Sequence, residues 1–237
     1  MIVYFDYICC IMMTSRIFHS IHLDLTNNRS QTILYVLLTR QLEEKEREVV
    51  DQAAEKMGIN VVLISDFKLE SETKLKKSGT VNFTKLFDGK ATTFLQDLES
   101  DLFFNIENSM CVNKARRNLL GVSEFGLFAI WSTTQKKLFD NVGSICAPLD
   151  VEGLSEWLSE QPDLLCDSYY ISLGLDDKGL SLKKAKNDDL RAASASVAET
   201  IATFGKKIVS DMDEKSSGIT GEIETFMNQI LSADEEE

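Results

Sequence analysis

A strand–helix–strand unit in residues 32–64 is the feature that most constrains what this chain can fold into. Residues 32–39 form a mostly apolar run that is typical of a strand buried on both faces. Residues 41–57 are rich in Glu, Lys, Arg and Ala with apolar side chains at helical spacing, and Gly58 is suited to end a helix. Residues 59–64 form a second apolar run. The pattern predicts a βαβ unit with parallel strands and a right-handed crossover.

Apolar periodicity predicts further helices and strands in the middle of the chain. Residues 92–103 and 111–120 are predicted as helices. Residues 125–131, an uninterrupted apolar run, are predicted as a buried strand. The remaining predictions are a helix in residues 151–160 and a strand in residues 169–175. Together these elements predict an α/β fold that contains a mixed sheet with at least one parallel βαβ unit.

Two apolar stripes at helical spacing follow near the C-terminus, on either side of a Ser-Ser-Gly turn at residues 216–218. They predict a C-terminal helical hairpin, an appendage whose apolar faces need a covering partner. That partner is either the rest of this chain or another copy of it. The side chains predicted to form this interface are Val197, Ile201, Phe204, Ile208, Ile223 and Phe226.

The predicted domain organisation has four parts. Residues 1–31 are an apolar leader or an edge strand outside the core, and residues 32–186 form the α/β body. Residues 187–231 form the amphipathic helical pair, and residues 232–237 form an acidic tail.

The first thirteen residues are unusually apolar, but they are too short to span a bilayer, and they lack the basic start of a signal peptide. We therefore predict no transmembrane segment. Three interpretations stay open for this stretch. It is a buried strand, a peripheral membrane contact with Cys9 and Cys10 available for acylation, or a leader upstream of a start at Met12 or Met13.

Five cysteines at irregular spacing include no CxxC pair, and the two histidines lie far from the later cysteines in sequence. This pattern argues against a zinc site and against a disulfide framework. We predict no metal and no cofactor. A reducing compartment, and so a cytoplasmic location, fits the cysteine usage.

The formal net charge of −13 disfavours a nucleic-acid-binding surface that covers the whole protein. Residues 140–180 and 211–237 each carry nine acidic residues and one basic residue. Such acidic surfaces suit solvation or a basic partner. A lysine-rich segment at residues 68–90 is the exception, and its candidate nucleic-acid-binding residues are Lys74, Lys76, Lys77 and Lys85.

Motifs for nucleotide binding and for nucleophilic catalysis are absent from the sequence. Neither GxGxxG nor GxxxxGK[ST] occurs, and there is no GxSxG elbow. We therefore predict no catalytic residue. Polar residues do follow the two strands of the βαβ unit, at the edge where α/β sheets bind ligands. They are the candidate ligand-binding residues Thr39, Ser65 and Asp66.

Three functions are compatible with these observations. The leading hypothesis is a non-enzymatic interaction or regulatory protein that acts through contacts with a protein partner or as a homo-oligomer. The alternative is an α/β enzyme or ligand sensor with an atypical nucleotide or small-molecule site at the carboxyl ends of the strands. The second alternative is a nucleic-acid-associated protein that uses residues 68–90.

Overall fold

The strands of the protein form one sheet in a computed structural model of the chain. The structure describes residues 22–26, 28, 30–65, 90–173, 184–212 and 218–231. These ranges contain seven strands. They are β1 (His22–Leu25), β2 (Thr32–Leu37), β3 (Asn60–Ser65), β4 (Arg116–Val122), β5 (Asn141–Ile145), β6 (Ser168–Ser172) and β7 (Lys207–Asp211).

The strand order is β1-β3-β2-β4-β5-β6-β7. β1 pairs with β3 in the antiparallel direction, and every other neighbouring pair is parallel. All the parallel strands therefore end at the same edge of the sheet, which we call the carboxyl edge. The α/β class and the mixed sheet predicted from the sequence are confirmed.

Helices cover both faces of this sheet. They are α1 (Glu44–Met57), α2 (Lys90–Asp97), α3 (Phe104–Ser109), α4 (Glu124–Ser132), α5 (Leu154–Ser159), α6 (Lys184–Ala202) and α7 (Gly218–Phe226), and π-helical segments follow α2 at Leu98–Phe103 and α7 at Met227–Leu231. Side chains of α2 to α6 share one hydrophobic core with the sheet, and α1 and α7 share a second core on the opposite face. Both faces of β2 to β6 are thus largely buried, as apolar parallel strands require, while the side chains of the edge strand β7 are half-buried or exposed.

The predicted βαβ unit is confirmed. β2 and β3 pair directly and in parallel, and α1 connects them. A capping box starts α1, since the Glu43 side chain and the Glu46 side chain each accept a backbone N–H of the other. Gly58 ends the helix at φ 64°, where its N–H donates to helix carbonyls. That left-handed conformation explains why glycine stands at this position.

Between residues 111 and 131 the predicted elements are wrong. The segment predicted as a helix contains β4, and the segment predicted as a strand is α4, whose residues from Phe125 to Ser132 are all buried. An apolar run that is buried on all sides shows neither the helical nor the strand period, so periodicity cannot distinguish the two. The central strand β5 was not predicted at all.

Two helices near the C-terminus are present as predicted, but β7 lies between them. Ile208, expected on the first helical stripe, belongs to this strand instead, so its helical assignment is wrong. The two helices pack on opposite faces of the sheet rather than against each other, because β7 carries the chain along the sheet between them.

A partly buried ion pair joins α3 to the start of β4. The Arg117 guanidinium donates to both carboxylate oxygens of Glu107, at 2.6 Å and 2.9 Å. The Tyr35 hydroxyl donates to the same carboxylate at 3.1 Å. Burial, and then the negative charge of Glu107, raise the pKa of Tyr35 well above its ordinary value. The cluster lies at the amino end of β4, away from the carboxyl edge.

At the N-terminal side, β1 joins the sheet at its edge, while residues 1–21 fall outside the described ranges. No helix in the described part of the chain is both long enough and apolar enough to cross a membrane.

Candidate active site

One serine at the carboxyl edge has a backbone conformation that residues with a side chain rarely adopt. Ser123 lies on the tight turn between β4 and α4, with φ 58° and ψ −127°. Such a conformation costs about 1–3 kcal/mol and persists only where surrounding structure enforces it. Here the Ser123 N–H donates to the Ile145 carbonyl at 2.8 Å, and the Ser123 carbonyl accepts the Gly126 N–H at 2.8 Å.

Two glycines allow this turn to form. A Cβ atom on Gly121 would lie 2.0 Å from the Phe125 carbonyl oxygen, a backbone atom that cannot move aside without undoing the turn. A Cβ atom on Gly126 would lie 2.6 Å from Ser144 Oγ on the neighbouring strand. The first turn of α4 can therefore approach β4 and β5 this closely only if both positions are glycine.

This arrangement is a strand–serine–helix turn of the kind that GxSxG sequences form, with altered spacing. The sequence is Gly121-Val122-Ser123-Glu124-Phe125-Gly126, so the second glycine comes one residue later than the motif requires. The GxSxG motif is absent from the sequence, as stated above, but its absence does not exclude a turn of this kind at another spacing. A search for glycines on both sides of a serine, with the spacing relaxed by one residue, would have found it.

The turn presents Ser123 at the positive end of a helix. Ser123 is half-buried, and Glu124, the first residue of α4, is exposed. The N-terminal N–H groups of a helix lack partners within the helix, and the helix dipole places partial positive charge there. A negative charge that develops on a group bound to Ser123 would be stabilised at this position.

A second backbone donor comes from the loop after β2. Leu37 pairs with Gly121 at the end of the β2–β4 ladder, so Thr39 and Ser123 both follow the sheet at its carboxyl edge. Within the described part of the chain, the backbone N–H groups of Thr39 and Glu124 have no hydrogen-bond partner. The N–H of the residue after a serine on such a turn is the position from which an oxyanion hole takes one of its donors, and here that residue is Glu124.

An ion pair holds this loop in place. Both guanidinium nitrogens of Arg40 donate to the Glu46 carboxylate, at 2.7 Å and 2.6 Å. The same carboxylate accepts the Glu43 N–H at 2.7 Å at the start of α1. A bidentate pair fixes both partners in orientation. The loop that carries Thr39 is thus attached to the first turn of α1.

The neighbouring strand β5 ends in a second residue with positive φ. Cys146 has φ 51°, and its N–H donates to the Ser172 carbonyl of β6 at 2.8 Å. Its side chain is half-buried. The ends of β4, β5 and β6 are therefore joined by hydrogen bonds just beyond the regular ladder, which makes the base of the site rigid.

Histidine is remote from Ser123 in the described structure. The chain has two histidines, His19 and His22, and residues 207–237 contain none. His22 starts β1, which β3 and β2 separate from β4. Three strand spacings amount to roughly 14 Å, far more than the heavy-atom separation of about 3 Å that a general base needs. His19 lies outside the described residues.

The structure places the candidate ligand-binding residues from the sequence in different surroundings. Thr39 is exposed in the loop after β2, at the carboxyl edge. Ser65 ends β3 and is buried, with 2% of its surface exposed. Asp66 lies outside the described residues. So do the candidate nucleic-acid-binding residues, Lys74, Lys76, Lys77 and Lys85. Nothing in the described structure tests a nucleic-acid function.

The predicted interface side chains pack within the chain. Val197 and Ile201 belong to the core on one face of the sheet, and Ile223 and Phe226 belong to the core on the other. Phe204 and Ile208 are partly buried against the first core. Of the two covering partners that the sequence left open, the rest of the chain therefore covers these stripes. The predicted protein partner or homo-oligomer is not tested by these contacts and stays a prediction.

Metal binding finds no support in the described ranges, where no group of three or more His, Cys, Asp or Glu side chains could hold an ion.

Comparison with solved structures relates this fold to hydrolases. No protein-family model matches the sequence, and no curated protein matches it. An S-formylglutathione hydrolase from Agrobacterium tumefaciens is 12% identical with a TM-score of 0.58, over 94% of this chain and 92% of that one. A siderophore hydrolase, EstB, from Aspergillus nidulans is 12% identical with a TM-score of 0.55, over 86% and 87%. An arylesterase is 10% identical with a TM-score of 0.52, over 90% and 80%.

These comparisons contradict the leading hypothesis from the sequence, a non-enzymatic interaction or regulatory protein. The solved structures named above are hydrolases and esterases with an α/β fold, although at this identity the likeness shows the fold alone. They favour the alternative hypothesis, an α/β enzyme with an atypical site at the carboxyl ends of the strands. The sequence did not suggest Ser123 as part of that site.

Proposed function

We propose that this protein transfers acyl groups from carboxylic esters, with Ser123 as the nucleophile. The observation that carries the proposal is the strained backbone of Ser123 on a strand–helix turn between two glycines that no larger residue can replace. Strain of this kind is concentrated at functional sites. The hydrolases and esterases among the solved structures of similar fold support the same chemistry.

In the proposed reaction each group has a role. The Ser123 hydroxyl oxygen attacks the ester carbonyl carbon, and negative charge develops on the carbonyl oxygen. The N–H groups of Glu124 and Thr39 donate to that oxygen, and the N-terminus of α4 adds its partial positive charge. Loss of one such donor in an acyl-transfer enzyme typically lowers kcat about 100- to 1,000-fold.

A ligand sensor is the second candidate, and the position of the histidines favours it. Because no imidazole lies beside Ser123 in the described structure, a carbonyl ligand would bind to the two N–H donors without covalent reaction. The two candidates differ in one observable property, which is whether Ser123 forms a covalent bond.

Labelling with a fluorophosphonate probe tests this difference. We expect one phosphonyl group per chain, located by peptide mass spectrometry on the peptide that contains Ser123, and none in Ser123→Ala. Ser196→Ala is the matched control, since Ser196 is an exposed serine on α6 and its loss should leave labelling unchanged. Equal labelling of Ser123→Ala and the unaltered protein would contradict the proposed nucleophile. Absence of labelling with specific ester binding would favour the sensor.

A cytoplasmic location is also proposed. It is supported by the irregular cysteine spacing and by the Cys111 and Cys166 thiols, which form no disulfide in the described structure. Cell fractionation tests it, and recovery of the protein with the membrane or secreted fraction would contradict it.

A further inference from the structure

Strand β7 lies at one end of the order of the described strands and pairs with β6 on one side. The edge of a sheet exposes backbone groups that can pair with another chain, and many proteins prevent this with a proline or a β-bulge in the edge strand. β7 contains no proline, and it pairs with β6 residue for residue, without a bulge. The strand therefore keeps a regular backbone that another strand can join.

Alternate residues of β7 direct their backbone groups away from β6. The Lys207 N–H donates to the carbonyl of the residue just before β6, at 3.4 Å, and the Asp211 carbonyl accepts the N–H of the residue just after β6, at 3.1 Å. Since successive residues of a strand point these groups to opposite sides, Ile208 and Ser210 face outward. Within the described part of the chain, their outward N–H and C=O groups have no hydrogen-bond partner.

We propose that this protein forms a homodimer in which β7 pairs with β7 of a second copy in the antiparallel direction. The two-fold axis passes through Val209, and Ile208 of each chain lies opposite Ser210 of the other. The outward N–H and C=O groups of both residues then form hydrogen bonds between the chains, and the two sheets become continuous. This interface does not involve Ser123, so it is independent of the proposed function.

Charge complementarity favours a second copy of this chain as the partner. In the same register, Lys207 of each chain lies opposite Asp211 of the other, at sites where paired Cα atoms are about 4.5 Å apart. Opposite charges directly across a ladder stabilise the pairing, and like charges weaken it. Lys207 is exposed and forms no ion pair in the described ranges. A strand with a basic residue at one end and an acidic residue at the other complements itself only when the two copies run antiparallel.

The register centred on Val209 is the one that uses the whole strand. Because outward-facing residues must meet outward-facing residues, the pairing can shift only in steps that keep Ile208 and Ser210 in these positions. Any such shift leaves part of β7 unpaired and separates Lys207 from Asp211 of the other chain. Ile208 and Val209 are half-buried in the single chain, and loss of their remaining exposed apolar surface favours association.

Sedimentation equilibrium of the full chain and of Ser210→Pro tests the pairing. The unaltered chain should form dimers as its concentration rises. Ser210→Pro removes an N–H that β6 does not use, and edge strands accept proline where the N–H faces solvent, so this variant should fold. Its dimer Kd should be at least about tenfold higher, because hydrogen bonds between the chains are lost. Ser210→Ala keeps the N–H and is the matched control, and circular dichroism checks that both variants are folded.

Two results would overturn the proposal at this stage. An unaltered chain that stays monomeric at every concentration excludes the dimer. A folded Ser210→Pro variant that dimerises as well as Ser210→Ala excludes β7 as the interface.

Charge reversal tests the register and does not depend on the proline variant. Lys207→Glu brings carboxylates together at both ends of the interface, and Asp211→Lys brings ammonium groups together. Each variant alone should dimerise about tenfold more weakly than the unaltered chain. An equal mixture of the two should recover dimers, because every facing pair in the mixed dimer again has opposite charges. Single variants that dimerise normally, or a mixture that recovers no dimers, would overturn the antiparallel register.

Discussion

Replacement of Ser123 by glycine and by alanine would measure the strain stored at the proposed nucleophile. Both variants lose the hydroxyl group, so their difference in stability isolates the effect of the Cβ atom at φ 58° and ψ −127°. Alanine keeps the Cβ atom and hence the strain of about 1–3 kcal/mol. Glycine removes it, but gains freedom in the unfolded state that costs about 0.4–1 kcal/mol.

The net result should be a glycine variant that is more stable than the alanine variant by about 1 kcal/mol. For a chain of this size, that difference corresponds to a rise in Tm of about 2–4 °C. Urea unfolding followed by circular dichroism gives the free energy, and thermal unfolding gives Tm. Ala192→Gly on α6 is the matched control, because the same exchange at an exposed helical position should destabilise by about 1 kcal/mol.

A glycine variant that is less stable than the alanine variant would refute the reasoning. It would mean that residue 123 is not held in a strained conformation, and the observation that carries the proposed function would be lost. A stability gain together with loss of probe labelling would show that the strained serine serves the reaction at the expense of stability.

Three further predictions concern the surroundings of the site and the core. Gly121→Ala should destabilise the fold by about 3 kcal/mol or more and abolish probe labelling, because its Cβ would meet the Phe125 carbonyl oxygen at 2.0 Å; near-normal stability in urea would contradict the geometry of the turn. Ser144→Ala should stabilise by about 1 kcal/mol, since the buried Ser144 hydroxyl has no hydrogen-bond partner in the described structure; destabilisation would reveal an unrecognised partner. Tyr35 has a raised pKa, so its contribution to stability is present below its ordinary pKa of about 10 and is lost as pH rises above it. Tyr35→Phe should therefore reduce the fall in unfolding free energy between pH 9 and pH 11 by up to about 1.4 kcal/mol per pH unit; an unchanged slope in urea titrations would show that the pKa of this phenol is not raised.

The reliability of sequence reasoning varied along the chain for a physical reason. The βαβ unit was predictable because α1 is amphipathic and ends at a left-handed glycine, Gly58. The helical period of α1 and its C-terminal boundary can therefore both be recognised from the residue types. α4 carries neither signal. It is buried on every side from Phe125 to Ser132, and its first residue follows β4 after a single turn residue, with no loop between them.

The C-terminal stripes show how a correct pattern can give an incomplete topology. Ile201 and Ile208 belong to the first predicted stripe and Ile223 to the second, yet Ile208 lies in β7. A short strand at a sheet edge with half-buried side chains can carry such spacing by coincidence. The stripe predicted burial correctly for Ile201 and Ile223, but it could not show that a strand separates their helices.

The candidate site was not predicted from the sequence because a motif search finds the serine and its glycines only at one fixed spacing. The second glycine of a GxSxG turn is required because the first turn of the helix contacts the neighbouring strand at that residue and leaves no room for a Cβ atom. Here that contact falls on Gly126, which faces Ser144 and Ala147 across a gap too small for a Cβ atom, while Phe125 turns its side chain into the core. Moving the glycine by one residue thus preserves the contact and breaks the motif. A glycine at position 123 itself would satisfy the backbone without strain, so the fold gains nothing from a serine there. The hydroxyl is the one property that distinguishes the two residues for a reaction, and this is why we assign the chemistry to Ser123.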